Sequence, residues 1–337
     1  MREKPFGQEN PIRPVEKPVP TRLSHAHRSE DQPMTHLTRR NFVAGLSLLA
    51  ASAALGGVSA AEDTGDLKVR WYGGGVYELA PPDDSTIVLV DAWIWNNTGF
   101  KGFGLQKPPE LSSAAAYADS IKARNPQTVI VALTHDHGDH FGDYFELIKA
   151  LSDKGIDVKS VGQSDFMRVG IKDKFTTYGL DETKIVLNNG SGINMGGTAT
   201  YKGARFIAVP AVHSTASGFP PIGFIIDLNG IRVYASGDTD LYGDMALIGK
   251  RYSPDLAFIC VGGGPFTMGP DDAAMACSMV GATNAIPVHY AHNPAVRGPE
   301  AADQFKSAMS RTAPKVAVTL MKPGETARLH IAPRARA

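Results

Sequence analysis

One short segment of the chain carries an unusual density of metal-binding side chains. It spans residues 135–140, reads His-Asp-His-Gly-Asp-His and directly follows the apolar stretch Val129–Leu133. Three imidazoles and two carboxylates are costly to remove from water unless a cation pairs with them. Alternate side chains of an extended segment point the same way, so the first two histidines can bind one ion while Asp139 and His140 face a second. The alternative, a solvated polar loop, is disfavoured because a buried strand leads into it.

This segment alone cannot complete a metal site, because two imidazoles are too few for tetrahedral coordination. Further ligands are therefore expected at the ends of other strands. His213, Asp238 and His289 each follow an apolar, strand-like stretch. Taken singly, each is an ordinary polar residue at a strand end, but a common metal centre explains why all three strands end in a ligand type.

The elements that must position these residues alternate along the chain from about residue 67. Short β-branched or aromatic stretches are separated by longer amphipathic ones, which indicates two sheets flanked by helices, with chemistry in the loops at the strand ends. Strands are predicted at Lys68–Tyr72, Val76–Leu79, Thr86–Val90, Val129–Leu133, Val158–Val161, Ala199–Val209, Gly223–Leu228, Ile231–Ala235, Leu256–Val261, Ala285–Val288 and Val316–Met321. Helices are predicted at Ser112–Ala123, Gly142–Ser152, Gly243–Ile248, Asp271–Val280 and Pro299–Met309.

The order of the candidate ligands resembles a known family. A His-x-His-x-Asp-His run, a strand-end His, a Gly-Asp pair and a second strand-end His are similar to the pattern of the metallo-β-lactamase superfamily. The resemblance covers roughly residues 67–332 and implies an α/β fold, the αββα sandwich, with the site along one edge of the two sheets. It implies the following ligands: His135, His137 and His213 for the first metal, Asp139, His140 and His289 for the second, and Asp238 as a bridge.

A narrower resemblance points to the branch that contains ascorbate-phosphate lactonase and other metal-dependent hydrolases. It rests on Thr134–Asp143, Asn194–Gly197, Ser236–Met245 and Phe266–Ala273. The chain departs from that branch at residues 73–75, where three glycines replace its Gly-His-Ser turn. Any substrate contact made by that histidine is missing here. The three glycines are interpreted as a tight turn, since they match neither a dinucleotide-binding nor a phosphate-binding loop.

Within this resemblance, His137 stands where the electron-transferring di-iron relatives carry glutamate, which favours hydrolysis over redox chemistry. We expect two divalent metal ions, with Zn favoured by five imidazoles and two carboxylates and with Mn or Fe as alternatives. Two metals about 3.5–4 Å apart would share a bridging hydroxide that attacks the substrate. Asp238 is expected to orient this hydroxide and Asp139 to accept its proton, so these two are the candidate catalytic residues.

Two further residues could support the centre. Asp91 ends the predicted strand Thr86–Val90 and is expected to hold the 135–140 segment, because ligand imidazoles usually need such partners. His292 lies three residues beyond His289 and could be a partner or proton donor, although a surface histidine is the favoured interpretation.

The surroundings of the centre are less defined by the sequence. Trp93, Trp95, Phe100 and Phe103 either line a substrate cleft or pack in the core, and both interpretations stay open. The loop Ser214–Pro221 is a second candidate for a cleft wall.

The predicted function is metal-dependent hydrolysis of a small ester, lactone or phosphoester. One alternative is a phosphodiesterase that acts on lipid headgroups, and another is a non-catalytic periplasmic protein that binds metal or solute. A β-lactamase is disfavoured, because the resemblance gives Asp238 a bridging role that β-lactamases of this fold do not use.

Composition limits the partners and the redox chemistry. Lys+Arg and Asp+Glu are equal at 34 each, so no net field favours nucleic acid, and a small-molecule substrate is expected. Cys260 and Cys277 are too few for a disulfide scaffold and are interpreted as buried thiols, with a disulfide between them as the alternative.

The first sixty residues are predicted to address the protein to a compartment. Residues 1–33 are rich in proline and polar residues and indicate a disordered extension or a mis-assigned start. Residues 34–60 resemble a twin-arginine signal peptide, with Arg39-Arg40 before a weakly apolar run and a cleavage site near Ala60. We therefore expect the twin-arginine export machinery as a partner, a periplasmic location, no stable membrane anchor after cleavage, and a hydrolase domain at 61–337.

Overall fold

The computed structural model of the chain describes residues 65–334, which form two β-sheets and flanking helices. The strands are β1 (Gly65–Gly73), β2 (Val76–Ala80), β3 (Thr86–Val90), β4 (Thr128–Ala132), β5 (Val158–Val161), β6 (Thr198–Tyr201), β7 (Ala204–Pro210), β8 (Ile222–Leu228), β9 (Ile231–Ala235), β10 (Leu256–Cys260), β11 (Asn284–Val288), β12 (Ala317–Val318) and β13 (Thr326–Ile331).

The helices lie mostly in the connections between strands. They are α1 (Gly99–Gly102), α2 (Ala114–Arg124), α3 (Gly138–Phe141), α4 (Tyr144–Asp153), α5 (Lys172–Thr177), α6 (Glu182–Ile185), α7 (Met245–Tyr252), α8 (Pro270–Val280) and α9 (Glu300–Thr312), with a 3₁₀ turn at Pro109–Leu111 and a π-helical turn at Phe166–Gly170.

Both sheets are mixed. The six-stranded sheet has the order β13-β1-β2-β3-β4-β5, and the seven-stranded sheet has the order β12-β11-β10-β9-β8-β7-β6. The strands β3, β4 and β5 run parallel, as do β9, β10, β11 and β12. Parallel strands present their carboxyl ends at one edge of a sheet, so the loops that follow β4, β9 and β11 can meet there.

The hydrophobic core explains why the central strands are apolar on both faces. Every residue of β3, β4 and β10 is buried. One face of each sheet meets the other sheet, where the rings of Tyr77 and Phe258 stack with centroids 3.8 Å apart. The opposite face of the six-stranded sheet packs against α2 and α4 through residues such as Tyr117 and Leu147. This is the αββα sandwich expected from the sequence.

The structure corrects several predicted elements. The strand predicted at 199–209 is a hairpin, because Lys202 and Gly203 turn the chain with positive φ angles of 39° and 83°. The strand predicted at 316–321 shrinks to β12, and β13 was missed. The alternation of Ala327, Leu329 and Ile331 with polar residues could have indicated β13, but this edge strand is half exposed and its pattern is weak. The short helices α1, α3, α5 and α6 were also not predicted.

The two cysteines are free and buried, one in β10 and one in α8. Burial raises the pKa of each thiol to about 12, so both are inert core residues, as predicted, and the alternative of a disulfide is wrong. No helix within residues 65–334 is both long and apolar enough to cross a bilayer. The predicted extension 1–33, the predicted signal peptide 34–60 and the cleavage site near Ala60 lie outside the described residues.

Candidate metal centre

Four strand ends deliver the candidate ligands to one edge of the sandwich. The segment 135–140 follows β4, and its last residues form the short helix α3. His213 lies three residues after β7, Asp238 three residues after β9, and His289 directly after β11. All seven residues predicted as ligands converge there, although they are spread over more than 150 positions of the sequence.

The first set of ligand atoms consists of three imidazole nitrogens and is called the three-histidine group (His135, His137, His213). Nδ1 of His137 lies 3.1 Å from Nε2 of His135 and 3.3 Å from Nε2 of His213. Nitrogens that bind one zinc ion tetrahedrally at about 2.0–2.1 Å lie about 3.3–3.4 Å apart. The three-histidine group therefore has the spacing of ligands to a single ion.

The second set, called the mixed group (Asp139, His140, His289), combines a carboxylate with two imidazoles. Its ligand atoms lie within 4.8 Å of one another. Oδ2 of Asp139 is 3.5 Å from Nε2 of His289 and 4.0 Å from Nε2 of His140. A carboxylate oxygen and two imidazole nitrogens are donors that suit zinc or another divalent transition metal.

Asp238 connects the two groups. Its Oδ2 atom lies 3.6 Å from Nε2 of His213 in the three-histidine group and 2.9 Å from Nε2 of His289 in the mixed group. Its Oδ1 atom lies 3.3 Å from Nε2 of His140. One buried carboxylate therefore reaches both sets of ligand atoms, which is the position expected of a bridging ligand.

Several of these atoms lack hydrogen-bond partners, as expected for atoms that bind a metal ion. Nε2 of His140, Nε2 of His289 and Oδ1 of Asp238 are buried and form no hydrogen bond. His140 and Asp238 approach to 3.3 Å, yet their atoms are not aligned for a hydrogen bond. Buried polar atoms without partners are rare, and several of them directed at a shared region fit the lone pairs of metal ligands.

The two groups differ in electrostatics. Burial, with the nearby imidazole of His140, holds the pKa of His135 well below its ordinary value, and burial also lowers the pKa of His213. Burial alone would lower the pKa of His140 and His289, but Asp238, together with Asp91 at His140 and with Asp139 at His289, outweighs it and raises both. Burial would raise the pKa of Asp238, but His289 and His140 hold it well below its usual range. The pKa values of the imidazoles in the mixed group are therefore shifted in the opposite direction to those of His135 and His213.

The buried carboxylate of Asp91 holds the ligand segment in place, as expected. Its Oδ2 atom accepts a hydrogen bond from Nδ1 of His140 at 2.7 Å, and its Oδ1 atom accepts one from the backbone N–H of Thr134 at 2.8 Å. The bond to Nδ1 leaves Nε2 of His140 as the nitrogen that faces the mixed group.

The backbone is strained around the mixed group. Asp91, His289 and Ala291 adopt left-handed conformations with φ angles of 64°, 59° and 59°. For residues other than glycine, each such conformation costs about 1–3 kcal/mol and persists only where the surroundings enforce it. The strained residues include the candidate ligand His289 and Asp91, which orients His140. The strain is therefore located at the site.

The glycine turn predicted at 73–75 is confirmed as the two-residue turn of the β1–β2 hairpin. The carbonyl of Gly74 accepts a hydrogen bond from the backbone N–H of His289 at 2.7 Å. A Cβ atom on Gly75 would lie 2.4 Å from Cε1 of His140. Because only glycine fits at position 75, the turn can pack directly against the candidate ligands His140 and His289.

The interpretation of His292 as a surface residue is wrong. Its side chain is 2% exposed, and Nε2 lies 3.2 Å from Oδ2 of Asp139. The left-handed residues at 289 and 291 turn the chain back toward the centre, which sequence spacing alone does not reveal. The ring also packs edge-on against Trp93, with centroids 6.0 Å apart. His292 does not belong to the clustered ligand atoms, so it supports Asp139 from outside.

Two other acidic residues near the ligand segment have a role that the sequence analysis missed. The carboxylate of Asp136 accepts the backbone N–H groups of Ala216 and Ser217 at 2.7 Å each. The carboxylate of Asp143 accepts the backbone N–H of Ile94 at 2.5 Å. Each therefore fixes a loop beside the centre. Both residues lie in the Thr134–Asp143 motif but were not assigned as ligands. That position was the signal in the sequence that could have indicated a structural role.

A cavity of about 580 Å³ opens over the metal ligands. It is lined by Trp93, Thr98, His137, Gly138, Asp139, His213, Ser214, Asp238, Phe266, His289, His292 and Asn293.

The sequence left open whether its aromatic residues line a cleft or pack in the core, and the cavity decides this for three of them. Trp93 lines the cavity, whereas Phe100 is buried in the core and Phe103 packs edge-on against Trp71 with centroids 5.7 Å apart. Both interpretations are therefore right for different residues. Ser214 also lines the cavity, which agrees with a wall formed by the loop after His213.

Comparison with known proteins identifies the family. A sequence model of the beta-lactamase superfamily domain matches residues 87–290, which include every candidate ligand. A UPF0173 metal-dependent hydrolase of Nitratidesulfovibrio vulgaris is 33% identical over 260 residues, 77% of this chain and 94% of that protein. Another, from Methanoculleus marisnigri, is 37% identical over 205 residues, 58% of this chain and 80% of that protein.

Solved structures agree with this assignment. The metallo hydrolase Igni18 of Ignicoccus hospitalis superposes with a TM-score of 0.60 at 27% identity, covering 78% of this chain and 98% of that one. An isothiocyanate hydrolase from Delia radicum gut bacteria shares the fold, with a TM-score of 0.52 at 14% identity over 78% of this chain and 99% of that one. The chain belongs to the metallo-β-lactamase superfamily and is a metal-dependent hydrolase of the UPF0173 family.

Proposed function

We propose that this hydrolase cleaves a small ester, lactone or phosphoester with two divalent metal ions, of which zinc fits the residues best. The observation that carries the proposal is the contact of Asp238 with both ligand groups. Imidazoles dominate the ligand atoms, which favours zinc over ions that prefer oxygen, although the mixed group also suits Mn or Fe.

The residues of the chain divide the catalytic work. When bound, the ion pair would supply a water of lowered pKa and offset negative charge on the substrate oxygen. Asp238 reaches both groups and orients the attacking water. Asp139 is 31% exposed in the cavity, where His292 holds its carboxylate. It is the proposed acceptor of the remaining proton, although the contacts with His289 and His292 outweigh burial and lower its pKa.

The likeness to the ascorbate-phosphate lactonase branch supports only the reaction type in this proposal, which is metal-dependent hydrolysis. Gly74 stands where that branch carries a histidine, and its backbone contacts His289. The same substrate is therefore not proposed. The alternative of a non-catalytic binding protein is set aside because the curated relatives are hydrolases.

The proposal is tested by hydrolysis assays on metal-reconstituted protein. The panel contains lactones, aryl esters, phosphodiesters and a cephalosporin, each with Zn and with Mn. We expect turnover of at least one ester, lactone or phosphoester class that a chelator abolishes and added metal restores. Protein that holds two ions and hydrolyses none of these three classes would overturn the proposal.

We further propose export to the periplasm through the twin-arginine machinery, with cleavage near Ala60 and release from the membrane. The support is Arg39-Arg40 before a weakly apolar segment that ends in small residues. Replacing both arginines with lysine should leave the protein in the cytoplasm in cell fractionation. Normal periplasmic delivery of that variant would contradict the proposal.

A further inference from the structure

The charges around the cavity restrict what it can bind. Among its described lining residues none is lysine or arginine, and the carboxylates of Asp139 and Asp238 are the formally charged groups besides histidines. The other polar lining residues, Thr98, Ser214 and Asn293, are neutral. Proteins that recognise phosphoryl groups usually supply arginine or lysine to the oxygens that the metals leave uncovered. This cavity supplies neither.

Two basic residues on the flanking loops are directed elsewhere. The ammonium of Lys107 donates hydrogen bonds to the carbonyls of Ile94 and Trp95. Arg297 lines a different cavity and reaches Gln304 at 3.5 Å. Neither lines the cavity over the candidate ligands, so an anionic substituent held away from the ions would meet no lysine or arginine among the described lining residues.

Two aromatic side chains line the same cavity. Trp93 lies on the loop after β3 of the six-stranded sheet, and Phe266 lies on the loop between β10 and α8 of the other sheet. Phe266 is 44% exposed, so part of its ring is accessible to a ligand. The Trp93 loop is held by the bond from Ile94 to Asp143. Exposed aromatic surface at the mouth of a cavity is typical of a site for an apolar ligand group.

We propose that the substrate is an uncharged carboxylic ester or lactone whose apolar acyl chain packs against Trp93 and Phe266. This inference rests on the proposed function and names its substrate class. Water adds to the carbonyl carbon, and the bond from that carbon to the ester oxygen breaks. The departing oxygen takes a proton, so the products are a carboxylate, an alcohol and one released proton, or a single hydroxy acid anion and a proton from a lactone. Nothing is oxidised or reduced.

The test uses a matched pair of aryl esters on the zinc-reconstituted full chain. p-Nitrophenyl hexanoate and mono-p-nitrophenyl adipate share a leaving group and a six-carbon acyl chain, but the adipate ends in a carboxylate. We expect kcat/KM to be at least about tenfold higher for the hexanoate, because the adipate charge would lie without a cationic partner. An equal or higher value for the adipate would overturn the inference.

A variant of Phe266 tests the aromatic contact. Phe266→Ala should raise KM for the hexanoate about five- to tenfold, because a partly exposed ring buries less apolar area against the acyl chain than a fully buried ring would. KM for p-nitrophenyl acetate should change little. The matched control is Leu247→Ala, because Leu247 is 50% exposed and does not line the cavity. Unchanged selectivity for hexanoate over acetate in Phe266→Ala would also overturn the inference.

A phosphodiester separates this inference from the proposed function. Bis(p-nitrophenyl) phosphate and the hexanoate are compared as rate accelerations over the uncatalysed reactions. A larger acceleration for the diester would overturn the substrate class while the metal-dependent hydrolysis stands. No turnover of any ester, lactone or phosphodiester by protein holding two ions would overturn both.

Discussion

The three-histidine group and the mixed group lie at the same edge of the sandwich but differ in their surroundings. In the former, burial lowers the pKa values of His135 and His213, which favours the neutral imidazoles that bind a cation. Around the mixed group, nearby carboxylates outweigh burial and raise the pKa values of His140 and His289, so a cation that binds there competes with protons. For the proposed second ion, these carboxylates would offset its charge and make its binding depend on pH.

The largest effect is expected for Asp238→Asn. The substitution keeps the shape of the side chain but removes a negative charge that both groups share. The first ion should stay on its three imidazoles, occupancy of the mixed group should fall, and hydrolysis should drop by more than about 100-fold, beyond the range for a residue outside the ligand set. Elemental analysis and kcat measure these effects.

The matched control for this variant is Asp244→Asn. Asp244 is exposed and makes no capping hydrogen bond at α7, so neither metal content nor kcat should change. Full turnover by Asp238→Asn with two ions bound would show that another group orients the water.

The pH dependence of metal binding is the second expected difference. Because the pKa values of His140 and His289 are raised, binding at the mixed group must displace protons, and its affinity should rise with pH by up to about tenfold per unit for each proton displaced. The pKa of His135 is lowered, so the first ion should respond less from about pH 6 to pH 8. Zinc titrations against a competing chelator measure both affinities, and equal pH slopes would contradict the difference.

A smaller effect is expected for His292→Ala. The loss of the bond to Asp139 should loosen the mixed group alone and reduce kcat by about tenfold, the lower end of the range for a partner of a ligand. The control is His330→Ala, because His330 has a 71% exposed side chain far from the centre in the sequence and contacts Asp66. Loss of the first ion in His292→Ala would show that the two groups are not separable in this way.

The smallest effect is expected for Asp136→Ala. The carboxylate holds the backbone of Ala216 and Ser217 and contributes no clustered ligand atom. Its loss should reduce kcat/KM by about fivefold through a looser cavity wall, while both ions stay bound. Hydrogen exchange should increase at residues 214–218. Loss of either ion would mean that Asp136 supports the ligands themselves.

The sequence could predict which side chains converge at this edge because residue type and position at strand ends are local properties. His213, Asp238 and His289 each follow a short apolar strand, and parallel strands bring such ends together. The same reasoning predicted the central strands β3, β4 and β10, whose continuous apolar runs reflect burial on both faces.

The remainder depends on contacts between distant parts of the chain. The partners of Asp136 are 80 and 81 residues away, so its role cannot be read from its neighbours in the sequence. The inward direction of His292 depends on left-handed backbone at His289 and Ala291, which residue type does not favour. The edge strand β13 was missed because it is half exposed and weakly patterned.

The most direct test of the proposed two-ion centre is anomalous diffraction at the zinc absorption edge from crystals of the zinc-reconstituted protein. We predict two anomalous peaks about 3.5–4 Å apart. One should lie within bonding distance of His135, His137 and His213, the other of Asp139, His140 and His289, and both of Asp238. A single peak, or two peaks of which neither contacts Asp238, would contradict the account.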